Sequence, residues 1–119
     1  MPVAERRVDA VTIVDVSGKL ALGDAADVLH DKVRSLLQQG QRRIVINLGG
    51  VSYMDSCGLG TLVSAHATAV RDGGALKLLH LTDRLENLLI ISRLLNVFEC
   101  FDDEAAAVAS FGASAAPAS

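Results

Sequence analysis

Asp55, Ser56 and Cys57 place a carboxylate, a hydroxyl and a thiol side by side, immediately before Gly58. They follow a strand-like apolar run and open a helical pattern, where free backbone N–H groups favour negative charge. Two chemistries suit that place. A hydroxyl or thiol there can take a modifying group, or a thiol there can become a nucleophile. A cysteine enzyme also needs a base, and His30, His66 and His80 sit on three different expected elements with no recognisable signature. The spacing of Gly58 and Gly60 is not a phosphate loop, because no Lys follows and the wider Walker spacing is missing. His66 lies within an apolar helix face, where histidines are mostly hydrogen-bonded core residues, and one histidine makes no metal site. No catalytic residue, metal or cofactor is therefore expected. On residue types alone, 55–60 reads either as a plain helix start, capped by Asp55 or Ser56, or as a regulatory loop.

The rest of the chain narrows the choice. With 119 residues, half of them apolar but no Trp, one aliphatic core is expected. A single domain should span 1–111, followed by a flexible Ala/Ser/Pro tail over 112–119. A net charge of −3 with interspersed signs argues against a nucleic-acid surface. No window is apolar for long enough to insert into a membrane, and the first residues have no apolar signal core, so the chain is expected in the cytoplasm. Cys57 and Cys100 fit reduced thiols better than a disulfide framework.

Elements to position the loop can be read from periodicity. Residues 7–16 alternate around a turn at Asp9 and Ala10, as in a β-hairpin. Asp24 should cap a first helix with Leu29, Val33, Leu36 and Leu37 inward, and Gly40 should stop it. Ile44, Val45, Ile46 and Leu48 form the nearly continuous run of a central strand covered on both faces. A second helix is expected from Ser56 to about Arg71, burying Leu59, Leu62, Val63, His66, Ala67 and Val70. A strand over 75–81, a helix from Asp83 to about Leu95, a short strand over 98–101 and a helix from Asp102 or Asp103 complete the chain. Leu88, Leu89, Ile90 and Ile91 circle the third helix, and packing within the chain is expected to bury them, with a covering partner as the alternative. Strands alternating with helices imply an α/β fold with a mostly parallel sheet.

Taken in order, Gly18-Lys19-Leu20, the run through Met54 into Asp55-Ser56-Cys57-Gly58-Leu59-Gly60, Gly73-Gly74-Ala75-Leu76-Lys77-Leu78 and Leu94-Leu95-Asn96-Val97-Phe98 resemble the STAS domain family. The resemblance is to its anti-sigma factor antagonist branch and covers roughly residues 8–108. It implies a sheet of four to five strands with about four helices. It also implies a protein-interaction module without activity of its own, regulating sigma-dependent transcription. The implied partner is an anti-sigma factor of the histidine-kinase-like ATPase fold, with a PP2C-type phosphatase as a second. In the family that kinase phosphorylates the serine before the glycine; here Cys57 holds that position, and Ser56 remains as the possible acceptor. Ala21 and Asn47 stand where acidic residues are usual. The implied partner surface comprises Ala21, Gly23, Asp24, Asn47, Ser56, Cys57, Leu59 and Gly60. An accessory subunit of a lipid-transport ATPase, docking through the third helix, and a thiol sensor using Cys57 are the alternatives.

Overall fold

A two-residue turn starts the sheet. Asp9 and Ala10 both adopt left-handed backbone (φ 50° and 69°), the geometry that matches the twist of paired strands. They join β1 (Val3–Val8) to β2 (Val11–Leu20) in an antiparallel pair. The computed structural model describes residues 3–20, 24–94 and 96–118. After β2 come α1 (Asp24–Gln38), β3 (Arg43–Met54), α2 (Ser56–Arg71), β4 (Ala75–Leu79), α3 (Asp83–Ile91), β5 (Cys100–Phe101) and α4 (Glu104–Ala118). The five strands form one sheet in chain order, parallel from β2 onward. The four helices of the described residues divide three to one across it.

That division follows from the alternation of side chains along β3. Ile44, Ile46 and Leu48 face the core shared with α1, α2 and α3, while Val45 faces Ala107, Val108 and Phe111 of α4. The central-strand expectation therefore holds. Gly40, at φ +85°, ends α1 with backbone bonds from its own N–H to the Leu37 carbonyl and from Gln41 to that of Leu36.

Several expectations shift. In α2 the buried stripe is Gly58, Leu59, Leu62, Ala65 and Ala69, whereas Ala67 and Val70 are exposed. Two alanines let the helix lie close to its neighbours and rotate the larger Val63 and His66 to the flank. Helix α3 is capped by Thr82, whose hydroxyl accepts from the Leu85 N–H at 3.3 Å, and ends at Ile91 instead of near Leu95. Arg93 closes it in the left-handed conformation glycine usually takes (φ 59°), with Leu94 N–H bonding to the Leu89 carbonyl. Leu89 is buried, but Ile90 and Ile91 are not, so packing within the chain does not cover the whole apolar run. β5 is shorter than expected because Phe98 turns into the core and edges onto the His66 ring. β4 stops before His80, itself at φ 59°. The last helix, α4, is assigned as far as Ala118, in a segment rich in alanine, the best helix former.

Candidate functional site

Strand β3 is longer than the sheet needs, and its end builds the site. At Gly50 the pairing with β2 slips, and a Cβ there would meet the Val16 carbonyl oxygen at 3.2 Å and the Ser17 Cβ at 3.1 Å. Glycine thus permits a close crossing, beyond which β2 and β3 run on as a two-stranded ribbon pairing Lys19 with Tyr53 and Leu20 with Met54. Val51 and Met54 anchor the ribbon in the core, while Lys19, Ser52 and Tyr53 face outward.

The ribbon delivers Asp55 in extended conformation as the cap of α2, its carboxylate accepting from the Gly58 N–H at 2.9 Å. That bond satisfies one of the free donors of the first turn and fixes the loop against the helix. Ser56 and Cys57 stand on the exposed surface of this turn, and the Cys57 carbonyl accepts from the Thr61 hydroxyl at 3.0 Å. Of the two open readings, the cap is realised by Asp55, which leaves the hydroxyl and thiol facing solvent. Gly58 is buried beneath them and Gly60 is exposed, with open space where its Cβ would be.

Two residues expected on this surface are elsewhere. Leu59 is 8% exposed and belongs to the core. Asn47 lies on the α4 side of the sheet, donating from Nδ2 to Asp15 Oδ1 at 2.8 Å and accepting at Oδ1 from the Gly49 N–H at 3.0 Å. Alternation along β3 puts Asn47 on the face of Val45, toward α4, while Leu59 falls on the buried stripe of α2 with Leu62 and Ala65. Ala21 and Gly23 lie outside the described residues, and Asp24 is placed as the first residue of α1.

Asn47 belongs instead to a network closed by Arg6. That guanidinium meets Asp15 through Nε at 2.7 Å and Nη2 at 3.2 Å, and Glu104 at the start of α4 through Nη1 at 3.0 Å and Nη2 at 2.5 Å. These bonds hold the Asp15 and Glu104 carboxyls below the usual carboxylate range and push Arg6 up.

The histidines are spread across separate surroundings. His30 Nε2 lies 3.3 Å from the Ser64 hydroxyl, between α1 and α2. His66 packs on Phe98 with a buried Nδ1 that has no hydrogen-bond partner among the described residues, and His80 follows β4. Burial, with Glu86 and Asp102 adding to it, raises the Cys100 thiol. Among the described residues no group of three His, Cys, Asp or Glu side chains could hold a metal ion, and no helix is long and apolar enough to cross a membrane.

Sequence reasoning passed over Tyr53 and Lys19, which share the exposed face leading into the loop. The available signal was Tyr53 itself, the single tyrosine of an aromatic-poor chain, left 44% exposed two residues before the cap.

The described residues form a five-stranded α/β sheet that presents an exposed, capped helix start. The sequence pattern of the STAS domain family matches residues 2–107. The anti-sigma-B factor antagonist of Bacillus subtilis (strain 168) is 37% identical over 86 residues, covering 72% of this chain and 77% of that protein. Two solved structures share the fold. An anti-sigma factor antagonist from Mycobacterium paratuberculosis superposes with TM-score 0.77 at 18% identity, covering 91% of each chain. The phosphorylated form of the Bacillus cell fate determinant SpoIIAA superposes with TM-score 0.73 at 20% identity, covering 92% of this chain and 98% of that one. The chain belongs to the STAS domain family, and its fold is that of the anti-sigma factor antagonists.

Proposed function

We propose that this chain is an anti-sigma factor antagonist, a binding protein without catalysis of its own, that captures an anti-sigma factor and so releases a sigma factor for transcription. The identity to the Bacillus subtilis antagonist carries this reading. The partner is an anti-sigma factor of the histidine-kinase-like ATPase fold, acting in the cytoplasm. The contact surface is the first turn of α2, with Ser56, Cys57 and Gly60, continued by Lys19 and Tyr53 on the ribbon. Tyrosine suits such a role because it offers a large contact area with few rotatable bonds.

Cys57 takes the place of the family's acceptor serine, so phosphorylation and the PP2C-type phosphatase that reverses it act weakly here or not at all. Ser56 is one residue away, and on a helix adjacent side chains diverge by about 100°, so a kinase aligned on position 57 does not reach its hydroxyl. The neutral Cys57 side chain keeps the chain in the unmodified, binding form. Phosphoserine at 57 would add about −1.5 to −2 charges, which the helix start tolerates in the free protein but a desolvated contact does not.

The test is calorimetric affinity for the anti-sigma factor recovered from the native host. Cys57→Asp and Cys57→Glu are expected to weaken binding by about tenfold or more, the effect of leaving a charge unpaired in the contact. Cys57→Ala and Cys57→Ser should bind as the parent does, and Cys57→Ser should regain phosphorylation by the partner. Equal affinity across the four variants would place the contact elsewhere. Exposed Ile90 and Ile91 favour a second reading, an accessory subunit docking through α3; it gains if Ile91→Lys abolishes partner capture while the Cys57 variants do not.

A further inference from the structure

At the end of the sheet opposite the loop, the chain gathers positive charge. Arg7, Ala10, Gly40, Gln41, Arg42 and Arg43 line an open cleft of about 360 Å³. The topology brings them together. Arg7 pairs with Thr12 across β1 and β2, and Thr12 pairs with Ile44 across β2 and β3, so the end of β1 and the segment entering β3 flank one point. The Thr12 hydroxyl bonds to Gln41 Oε1 at 3.5 Å, and Gly40, at φ +85°, folds the connecting segment there.

Three arginines lining one cleft of a chain with net charge −3 need an explanation. Among the described residues Arg7, Arg42 and Arg43 make no ion pair, and no carboxylate lines the cleft. Capping α1 is not their task, because the backbone N–H groups of Gly40 and Gln41 already reach the carbonyls of Leu37 and Leu36. The negative end of α1 offsets part of the charge and leaves a surplus.

We propose that this cleft binds an oligophosphate group, two or more linked phosphates carried by a small molecule. Guanidinium is planar and pairs its donors with two oxygens at once. Three such groups offer more paired donors than one phosphate accepts, and linked phosphates supply the extra oxygen edges. No aromatic side chain lines the cleft, so it has no platform for stacking a base, and charge and spacing do the selecting. The twelve residues of β3 separate this cleft from the start of α2 by roughly 35 Å at the rise of an extended strand. The two surfaces can therefore be filled at once.

Calorimetric titration of the full chain with inorganic pyrophosphate and tripolyphosphate, beside orthophosphate, tests this. Saturable binding of the linked phosphates, at least tenfold tighter than orthophosphate, is expected, weakening steeply with added salt. Arg7→Gln, Arg42→Gln and Arg43→Gln should each lower affinity about tenfold, and Arg84→Gln on α3 should change it less than twofold. Amide shifts on binding should cluster at residues 7–12 and 39–44. Absence of saturation, equal affinity for orthophosphate, or an equal loss in Arg84→Gln would overturn the proposal. Far-ultraviolet circular dichroism of each variant separates loss of binding from loss of fold.

Discussion

The two faces of the sheet are stabilised differently. On the three-helix face the chain buries an almost wholly aliphatic cluster, with Leu29, Val33, Ile44, Ile46, Leu78 and Ala69 all at 0% exposure. The single-helix face has a smaller apolar patch bordered by polar groups. Lys77, 7% exposed, bonds to Ser110 Oγ at 2.8 Å and to Glu99 at 2.7 Å, with its ammonium 4.4 Å from the Phe111 ring centroid. At the other edge Arg6 ties Asp15 to Glu104. One face holds by area removed from water, which tolerates no missing methylene; the other holds by directed bonds, which tolerate no wrong charge.

The largest expected effect lies on the aliphatic face. Leu62→Ala should lower unfolding free energy by about 2–5 kcal/mol, the usual cost of a buried leucine deletion. Chemical denaturation checks it, and a cost within the range of surface changes would mean that this face is loosely packed.

Next comes the directed face. Asn47→Asp replaces the donor 2.8 Å from Asp15 with a second carboxylate. A cost of about 1–3 kcal/mol is expected at neutral pH. The pair would share a site that disfavours double ionisation, so one folded-state pKa rises. A raised pKa means stability that is present at acid pH and lost as pH climbs, so the deficit should shrink on acidification. A deficit independent of pH would show that the two side chains move apart.

Arg6→Gln should cost about 1 kcal/mol at pH 7, since the ion pairs are part-exposed. Asp15 and Glu104 have folded pKa values below their unfolded ones, so their contribution is present above the ordinary carboxylate range and lost as pH falls through the lowered values. The gap between parent and variant should close in that acid window, as followed by thermal melts in a pH series. A smaller gain is expected from Ala10→Gly, which relieves a left-handed alanine (φ 69°) and should stabilise by about 0.5–1 kcal/mol. Smallest is Ile91→Lys. At 79% exposure it should change stability by less than about 0.5 kcal/mol.

The same contrast explains what could be read from the chain beforehand. The aliphatic face, β3 and the hairpin turn were legible because burial leaves a periodic mark and turns have few suitable residues. The start of α2 was legible too, since Asp55 precedes Gly58 at cap spacing. The Arg6 to Glu104 bond spans 98 positions and leaves no local mark. The resemblance put Asn47 on the partner surface, and it carries no mark of which face of the strand the residue takes. In α2 the larger Val63 and His66 drew attention from Ala65 and Ala69, although close packing favours the small residue. The end of α3 was missed because Arg93 does what a glycine normally signals.

The Asp55 bond to Gly58 has a consequence for recognition itself. The carboxylate that holds the first turn of α2 lies two residues before the side chain a partner would inspect. A copy in which that turn has frayed presents position 57 in no fixed direction. Under the proposed function, a partner that contacts this turn engages only copies in which the Asp55 cap is in place.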